Sequence, residues 1–538
     1  MSTAAATIRI GPLSDFLSHT RFLLTLRHNL DQSLYKSLIL FRLSDESNGT
    51  GQIYCMESAC PHLGADLSHA DIEEITDDHD QSSLVAVCPW HRYDFDLVTG
   101  HSQTGMRACT YTCDLRSGAN VKDNGELKDI WIGSPEPVNG GWQLVEKRPV
   151  SEDFTVSSQK SIALPAADNT QSSAIAAEPQ VEPVVPENNP PRTLIDWAVL
   201  ILNTSSPKLK VERTRHAVHL FRTGKIKSIG HNSPNIQRPP DIPPRADSVR
   251  TVDPAKSGKR GKGGSQKSRI AMLHALANIE QWAIDLAWDI IARFGPQHPE
   301  LPMAFYSDFS KVALDESKHF SLLSQRLEEL GSHYGALTVH AGLWDSARET
   351  HHSLLARLAI IHLVHEARGL DVNPVTIARF KNAGDLESTR VLNIIHHDEV
   401  THVTAGHRWF TWLCARQELE PVSAFRSAVQ THFWGALKGP FNVEDRARAG
   451  LSPAFYENLQ GQTAVLAAVQ QASAAPRSES PLITDGATEL PTIRRPGEAG
   501  SASVPPPGGL SFEADKERIN QMVPEEGRPA TEIGYSLP

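Results

Sequence analysis

Two short segments in the N-terminal part of the chain combine cysteine and histidine at metal-ligand spacing. Cys60 lies two positions before His62, and Cys88 lies three positions before His91, with 25 residues between the two pairs. Two thiolates and two imidazoles suit a [2Fe–2S] cluster in which one iron takes the cysteines and the other takes the histidines. A Cys2His2 zinc site uses the same ligand types, but zinc fingers usually pair Cys with Cys and His with His. The mixed loops therefore favour an iron–sulfur cluster.

The C-terminal half carries two copies of an Asp-Glu-x-x-His motif, each within a helical pattern. The motifs run from Asp315 through Glu316 to His319 and from Asp398 through Glu399 to His402. Residues i and i+3 share one face of a helix, so the glutamate and histidine of each motif can bind one ion. Asp315 and Asp398 either accept a hydrogen bond from a ligating histidine's other ring nitrogen or are exposed neighbours of the ligands.

Two further glutamates, Glu280 and Glu366, complete a repeated pattern. They are 86 residues apart, and the two Glu-x-x-His motifs are 83 residues apart, which indicates a duplicated helix pair. Both glutamates have apolar neighbours, so burying them is costly unless a metal or a partner charge compensates. Four helices supplying Glu, Glu-x-x-His, Glu and Glu-x-x-His form the ligand set of di-iron or di-manganese carboxylate bundles. The predicted ligands are Glu280, Glu316, His319, Glu366, Glu399 and His402.

A mononuclear iron site is an alternative interpretation of the second motif. Glu399, His402 and His407 match a Glu-x2-His-x4-His spacing that suits a facial triad. On one continuous helix His407 lies about 140° around the axis from His402, so this triad requires a broken helix.

The surrounding sequence predicts two folded parts that position these residues. Short apolar runs between turn residues predict an all-β domain at 1–150, and helical periodicity predicts an all-α four-helix bundle at 193–465. The proline-rich segment 151–192 predicts a disordered linker, so we expect the two parts to fold independently, and 475–538 predicts a disordered tail. Residues 71–80 hold six carboxylates and predict a surface insertion.

Composition excludes several classes of protein. The chain has 538 residues, a formal charge of −11 and six cysteines, too few for a disulfide framework. No segment resembles a signal peptide or a membrane span. We therefore expect a cytoplasmic protein without nucleic-acid or membrane partners.

The residues around the first metal constellation closely resemble the Rieske domain over about the first 145 residues. The resemblance rests on Cys60-Pro61-His62-Leu63-Gly64, on Cys88-Pro89-Trp90-His91 and on the segment from Arg92 to Gly100. It implies one Rieske-type [2Fe–2S] cluster held by Cys60, His62, Cys88 and His91. Rieske proteins of respiratory complexes carry an additional disulfide between the cluster loops. This sequence has Ala65 and Trp90 at those places and resembles the ferredoxin or oxygenase type.

The region from about Leu194 to Leu459 resembles a ferritin-like family of unknown function. The resemblance is carried by His274-Ala275-Leu276-Ala277-Asn278-Ile279-Glu280, the two Asp-Glu-x-x-His motifs, Ala367 to Asp371, and Pro440-Phe441-Asn442, with shorter matches between them. It implies helices like those of ferritin-like di-iron hydroxylases but names no substrate.

Together the two resemblances imply an oxidoreductase, a non-haem di-iron oxygenase or hydroxylase fused to its own Rieske electron donor. Such an enzyme would use O2 and a small-molecule substrate. No Gly-x-Gly-x-x-Gly dinucleotide loop is evident, so we expect an external NAD(P)H-dependent reductase. The alternative from a different class is an iron-handling ferroxidase in which the Rieske unit recycles electrons.

Overall fold

The structure is a computed structural model that describes residues 6–43, 52–76, 82–117, 128–135, 140–150, 182–231, 237–253, 256, 261 and 263–462. The predicted tail at 475–538 lies outside the described residues, as do residues 151–181 of the predicted linker.

The N-terminal part is all-β, as the sequence predicts. Its strands are β1 (Thr7–Pro12), β2 (Arg21–His28), β3 (Tyr35–Leu43), β4 (Gln52–Glu57), β5 (Asp71–Thr76), β6 (Ser82–Val87), β7 (Asp94–Asp96), β8 (Thr110–Tyr111), β9 (Cys113–Ser117), β10 (Lys128–Gly133) and β11 (Trp142–Pro149). They form three antiparallel sheets with the strand orders β1-β10-β9, β11-β2-β3-β4-β8 and β5-β6-β7. The first two sheets enclose an apolar core that includes Ile10, Phe22 and Leu40.

The smallest sheet supports the two Cys/His loops. The first loop follows β4 and leads into β5, and the second loop connects β6 to β7. Residues 71–76 of the predicted acidic insertion are β5 itself, which pairs with β6 from Asp71 opposite Val87 to Thr76 opposite Ser82. These residues form a strand rather than a loop, with Asp71, Glu73 and Glu74 exposed, and 77–80 lie outside the described residues.

The C-terminal part is helical. Its helices are α1 (Leu194–Leu202), α2 (Pro207–Arg222), α3 (Gln266–Phe294), α4 (Met303–Glu329), α5 (Gly342–Glu349), α6 (Leu354–Ala359), α7 (Glu366–Asn382), α8 (Leu386–Arg416), α9 (Pro421–His432), α10 (Val443–Arg448) and α11 (Pro453–Tyr456). A π-helix, Ile360–His365, joins α6 to α7. Among the described helices, none has both the length and the apolar character of a membrane-spanning segment.

The longest helices pack in the two pairs that the sequence repeat predicts. Helix α3 packs along α4, α7 packs along α8, and contacts between α4 and α8 join the pairs. Side-chain caps fix two of the starting points: Ser265 accepts a hydrogen bond from the Ser268 amide, and Asp385 accepts one from the Ser388 amide.

The strands and the helices share one apolar core. A single buried cluster includes Phe41, Cys88 and Trp90 of the β part together with Leu194 and Phe221 of the helical part. All described residues belong to one compact unit. The packing therefore does not support the expectation that the two parts fold independently.

The end of the predicted linker also packs against this unit. The guanidinium of Arg213 on α2 donates to the carbonyl oxygens of Pro183 and Val184, at 2.9 Å and 3.1 Å. Residues 182–192 of the predicted linker are thus described, and Pro183 and Val184 contact α2.

Candidate metal centres

The first candidate centre lies at the tips of the two Cys/His loops. Each loop is a tight turn closed by backbone hydrogen bonds. The Gly64 amide donates to the Cys60 carbonyl at 2.8 Å, and the Arg92 amide donates to the Cys88 carbonyl at 2.9 Å. Arg92 adopts the left-handed conformation with φ of 60° and pairs with Asp71 and Glu73 of β5. These contacts hold the second loop against the small sheet.

The loops bring the predicted cluster ligands together in two pairs, one of histidines and one of cysteines. The rings of His62 and His91 have centroids 4.8 Å apart, and the buried thiols of Cys60 and Cys88 form a hydrogen-bonded pair. The Cys60 thiol and the amides of Trp90 and His91 lower the pKa of Cys88 to about 6 despite its burial. The Nδ1 atom of His62 is buried without a hydrogen-bond partner. The donor set fits a Rieske-type cluster, which such an unpaired imidazole nitrogen would ligate.

The second candidate centre lies between α3, α4, α7 and α8. Ligand atoms of Glu280, Glu316, His319 and Glu399 lie within 4.8 Å of one another, and so do those of Glu316, Glu366, Glu399 and His402. Glu316 and Glu399 belong to both groups, whereas the other four residues belong to one group each. The structure thus brings together all six predicted ligands in two groups that share two carboxylates.

Both histidines present the Nδ1 atom to the glutamates. Nδ1 of His319 lies 3.2 Å from Glu316 and 3.5 Å from Glu280, and Nδ1 of His402 lies 3.1 Å from Glu316. Nδ1 of His402 and Oε1 of Glu316 are buried but lack a hydrogen-bond partner of acceptable geometry. Unpaired buried donors and acceptors are costly, and an ion between these atoms would satisfy both. The residues therefore fit a metal pair.

The opposite ring nitrogen of each histidine contacts the aspartate of the other motif. Nε2 of His319 lies 3.0 Å from Asp398, and Nε2 of His402 lies 3.4 Å from Asp315. A carboxylate that accepts the Nε2 proton fixes the tautomer with Nδ1 free for a metal. This geometry agrees with the interpretation that each aspartate hydrogen-bonds to a ligating histidine. The aspartate of each motif contacts the histidine of the other motif.

The protonation of the second centre reflects its concentrated negative charge. Burial raises the pKa of Glu280 well above its ordinary value, and the neighbouring Glu316 raises it further. Burial and the nearby Glu399 act on Glu366 in the same direction. Burial lowers the pKa of His402, but Glu316 and Asp315 more than reverse this effect. Two divalent ions would replace these protons, so metal binding at this site should release protons.

The π-helix sets the position of Glu366. It ends at His365, directly before this ligand, and its wider turn rotates α7 relative to α6. Its close neighbour is Gly406 of α8, where a Cβ atom would lie 2.3 Å from the His362 carbonyl oxygen. Only glycine permits this approach of α8 to the π-helix.

Two aspartates at matching positions on α3 and α7 carry counter-charges for buried cations. Asp285 is fully buried beside Lys210 and lies 2.7 Å from Arg245. Asp371 accepts two hydrogen bonds from Arg446, at 2.7 Å and 2.8 Å. These pairs tie α2 to α3 and α10 to α7, so they hold the helices that carry Glu280 and Glu366.

His407 lies away from the glutamates. Its Nδ1 atom shares a 2.7 Å hydrogen bond with the Tyr35 hydroxyl of β3, and its burial lowers its pKa to about 3. Among the described residues, the groups that could hold a metal do not include His407. The structure therefore does not assemble the mononuclear triad.

A cavity of about 70 Å³ adjoins the second centre. Glu280, Glu316, Glu366 and Glu399 form its polar side, and apolar side chains of Leu276, Ile279, Ala283 and Leu343 form another side. Drug-sized ligands occupy cavities of roughly 300 Å³ or more. This cavity has room for a few water-sized molecules.

Sequence reasoning missed three features of the second centre: Arg148, Lys318 and the π-helix. Arg148 of β11 pairs with Asp315, and Lys318 pairs with Asp398. Lys318 lies inside the Asp-Glu-x-x-His motif, where its charge beside two carboxylates was an available signal. Arg148 is 167 residues from its partner, and nothing in its local sequence indicates the contact.

Comparison with known families supports the division of the chain. Residues 30–111 match the Rieske [2Fe-2S] domain, and residues 203–457 match a family described as a protein of unknown function, DUF455. The chain is also 36% identical over 191 residues to an uncharacterized protein of Haemophilus influenzae, a match that covers 35% of this chain and 66% of the relative. The match thus spans slightly less than two thirds of that relative. All four Cys/His loop ligands lie within the first match, and all six bundle ligands lie within the second.

Proposed function

We propose that this chain, which joins a Rieske [2Fe–2S] domain to a DUF455 domain, is a non-haem di-iron oxygenase or hydroxylase with its own electron-transfer domain. The DUF455 domain is then a ferritin-like four-helix bundle that holds the metal pair. The observation that carries this proposal is the pair of overlapping ligand groups that share Glu316 and Glu399. Four carboxylates and two histidines in this arrangement are the ligand set of carboxylate-bridged di-iron sites.

The side chains of the bundle would have different roles in holding the metal pair. Glu316 and Glu399, which belong to both ligand groups, would contribute to holding both ions, Glu280 and His319 would hold one ion, and Glu366 and His402 would hold the other. When bound, a di-iron pair supplies O2 activation. Leu276, Ile279 and Leu343 give the cavity an apolar side beside the carboxylates.

The attached Rieske domain supports the assignment of an electron-consuming reaction. A reduced di-iron pair gives two electrons to each O2 and must be reduced again from outside before the next turnover, and a covalently attached one-electron carrier raises the effective donor concentration. The second cluster loop is docked on α2: Nε1 of Trp90 donates to the Phe221 carbonyl at 3.0 Å. A Cβ atom at Gly224 would lie 2.7 Å from Cα of Trp90, so glycine is needed for this docking.

We further propose that an external NAD(P)H-dependent reductase supplies the electrons. His91 and Leu63 at the cluster tips are exposed. They leave a side of the loops open to an electron donor, while Trp90 faces the helices.

The cavity restricts the substrate. At about 70 Å³ it admits O2 together with a group of only a few heavy atoms in this conformation. The substrate of the proposed reaction is therefore either small or presents a narrow terminal group to the centre.

The same cavity size favours one alternative function, iron handling. A ferroxidase needs space for ions and O2 but none for an organic molecule. O2 consumption that depends on an organic compound favours the oxygenase, whereas repeated Fe²⁺ oxidation without any organic compound favours iron handling.

A single-turnover experiment tests whether the two centres work together. The parent protein and Glu316→Ala are reduced without O2 and then mixed with O2, while the electron paramagnetic resonance signal of the reduced cluster is followed. Because Glu316 belongs to both ligand groups, its loss should slow reoxidation of the cluster at least about tenfold. Equal rates in the two proteins would show that the bundle does not draw electrons from the cluster.

A further inference from the structure

The last strand of the β part reaches the outer side of the candidate metal pair. Arg148, near the end of β11, forms an ion pair with Asp315 of α4, and the side chains are 16% and 3% exposed. Next to it, Lys311 of α4 donates to Glu146 of β11 at 2.8 Å. Two ion pairs thus join β11 to α4, but only the first involves an aspartate that contacts a candidate ligand.

Asp315 connects Arg148 directly to a candidate ligand, His402. Asp315 offers one carboxylate oxygen to Arg148 and the other to Nε2 of His402, at 3.4 Å. Nδ1 of the same ring faces Glu316 and Glu399. The orientation of His402 therefore depends on a carboxylate whose own position is set from the β part.

The corresponding contact at the other end of the site is built differently. Asp398 contacts Nε2 of His319 and is paired with Lys318, a residue of α4 that is 41% exposed and also lies 3.6 Å from Asp315. A lysine that is partly exposed is screened by solvent and constrains its partner less than a buried cation does. The mostly buried Arg148 is the stronger constraint, and it acts on the His402 end.

We propose that Arg148 is a positioning residue of the metal centre: it holds Asp315 where Asp315 orients His402, so the β part completes one of the two metal subsites. This inference rests on the proposed di-metal function and adds to it a structural role for the electron-transfer domain. The subsite of Glu316, Glu366, Glu399 and His402 depends on Arg148. His319, in the other ligand group, contacts Asp398 instead, whose ion-pair partner is Lys318.

The chemistry of arginine suits this role. A guanidinium is always charged and presents several donors in a rigid plane, so it fixes a carboxylate in direction as well as in charge. Nη1 of Arg148 is buried without a hydrogen-bond partner, so Nη2 carries the contact with Asp315. A lysine at this position would keep the charge but lose the planar geometry.

The test measures Mn²⁺ binding to full-length protein from which the bundle metals have been removed, by equilibrium dialysis at several concentrations. Parent protein should bind two Mn²⁺ ions at the bundle. Arg148→Gln should weaken one of them by about 10-fold to 100-fold, the range expected when a partner of a ligand is lost, and leave the other within about threefold. Arg148→Lys should restore part of the lost affinity because it retains the charge.

Lys311→Gln is the matched control, because it breaks the neighbouring ion pair between β11 and α4 without touching an aspartate that contacts a histidine. It should bind both ions as the parent does. If Arg148→Gln does not fold, Asp315→Asn tests the same contact, since it keeps the shape of the side chain and removes its charge. It should weaken the same single ion.

The Mn²⁺ binding results distinguish a failure of the Arg148 role from a failure of the proposed di-metal site. Unchanged binding of both ions in Arg148→Gln, or equal weakening in Arg148→Gln and Lys311→Gln, would overturn the role of Arg148 while leaving the metal pair intact. Failure of the parent protein to bind two Mn²⁺ ions would instead overturn the di-metal site itself.

Discussion

At the scale of single residues, the four glutamates of the bundle are not equivalent. Glu316 belongs to both ligand groups, but Glu280 belongs only to the group with His319. Glu280→Gln should therefore weaken one ion, whereas Glu316→Gln should weaken both. Titration of metal-free protein with Mn²⁺ distinguishes the two patterns, and equal loss of a single ion in both variants would contradict the bridging position of Glu316.

Substitution of His407, unlike that of the glutamates, should not affect metal binding. Its side chain bonds to Tyr35 and is absent from the ligand groups of the described residues, so His407→Phe should leave the metal content unchanged. Loss of the 2.7 Å hydrogen bond should lower the free energy of unfolding by about 1 kcal/mol. Metal analysis with a thermal unfolding scan measures both effects. An empty bundle site in a folded His407→Phe protein would restore the mononuclear triad.

Residue types and their spacing were enough to predict the candidate ligands of the bundle. The i, i+3 motifs and the repeated glutamates sufficed to select residues that the structure brings together, because ligands on one helix are set by local geometry. The hydrogen bonds between motifs and the Arg148 contact depend on how distant segments pack. Arg148 and Asp315 are 167 positions apart, so no local pattern could pair them.

At the scale of elements, the π-helix and α8 fit together through a single glycine. In Gly406→Ala the added Cβ would lie 2.3 Å from the backbone oxygen of His362, so α8 or the π-helix must shift. Overpacking of this kind costs about 1–3 kcal/mol. Chemical denaturation should show this loss together with weaker metal binding, because the shift moves α7 and Glu366.

Gly264→Ala is the control for this substitution. No atom lies within 4 Å of a Cβ atom added at Gly264, so its stability and metal binding should equal those of the parent. Unchanged stability of Gly406→Ala would contradict the close contact between α8 and the π-helix.

Helical periodicity predicted the helix pairs, but it did not predict the π-helix. Ile360 to Val364 are apolar except for His362 and fit an α-helix equally well, and the wider turn becomes evident only through the packing on Gly406. The sequence did not predict strand β5 either, because its strand pairing depends on distant contacts. Its carboxylates indicate a solvated loop, while its pairing with β6 and the ion pairs of Arg92 are tertiary features.

At the scale of the whole molecule, the β part and the helical part share one core, although the proline-rich segment between them suggests separable domains. The composition of this segment predicts separable domains, yet Trp90 and Phe221 belong to one buried cluster and Arg148 contacts Asp315. Separate expression of residues 1–150 and 190–465 should expose the apolar faces of this core. We expect each piece to be less soluble than the full chain, and the second piece to bind its metal pair more weakly. Two soluble pieces with full metal content would contradict this account.

The central claim is that one chain holds a Rieske cluster and a metal pair, and metal and sulfide analysis tests it most directly. Parent protein should contain about four metal ions and two acid-labile sulfides per chain. His91→Ala should lose the sulfide and the Rieske signal but keep about two metals, and Glu316→Ala should keep the sulfide and about two irons. Two sulfides with only two metals in the parent protein, or full metal content in Glu316→Ala, would contradict the metal pair.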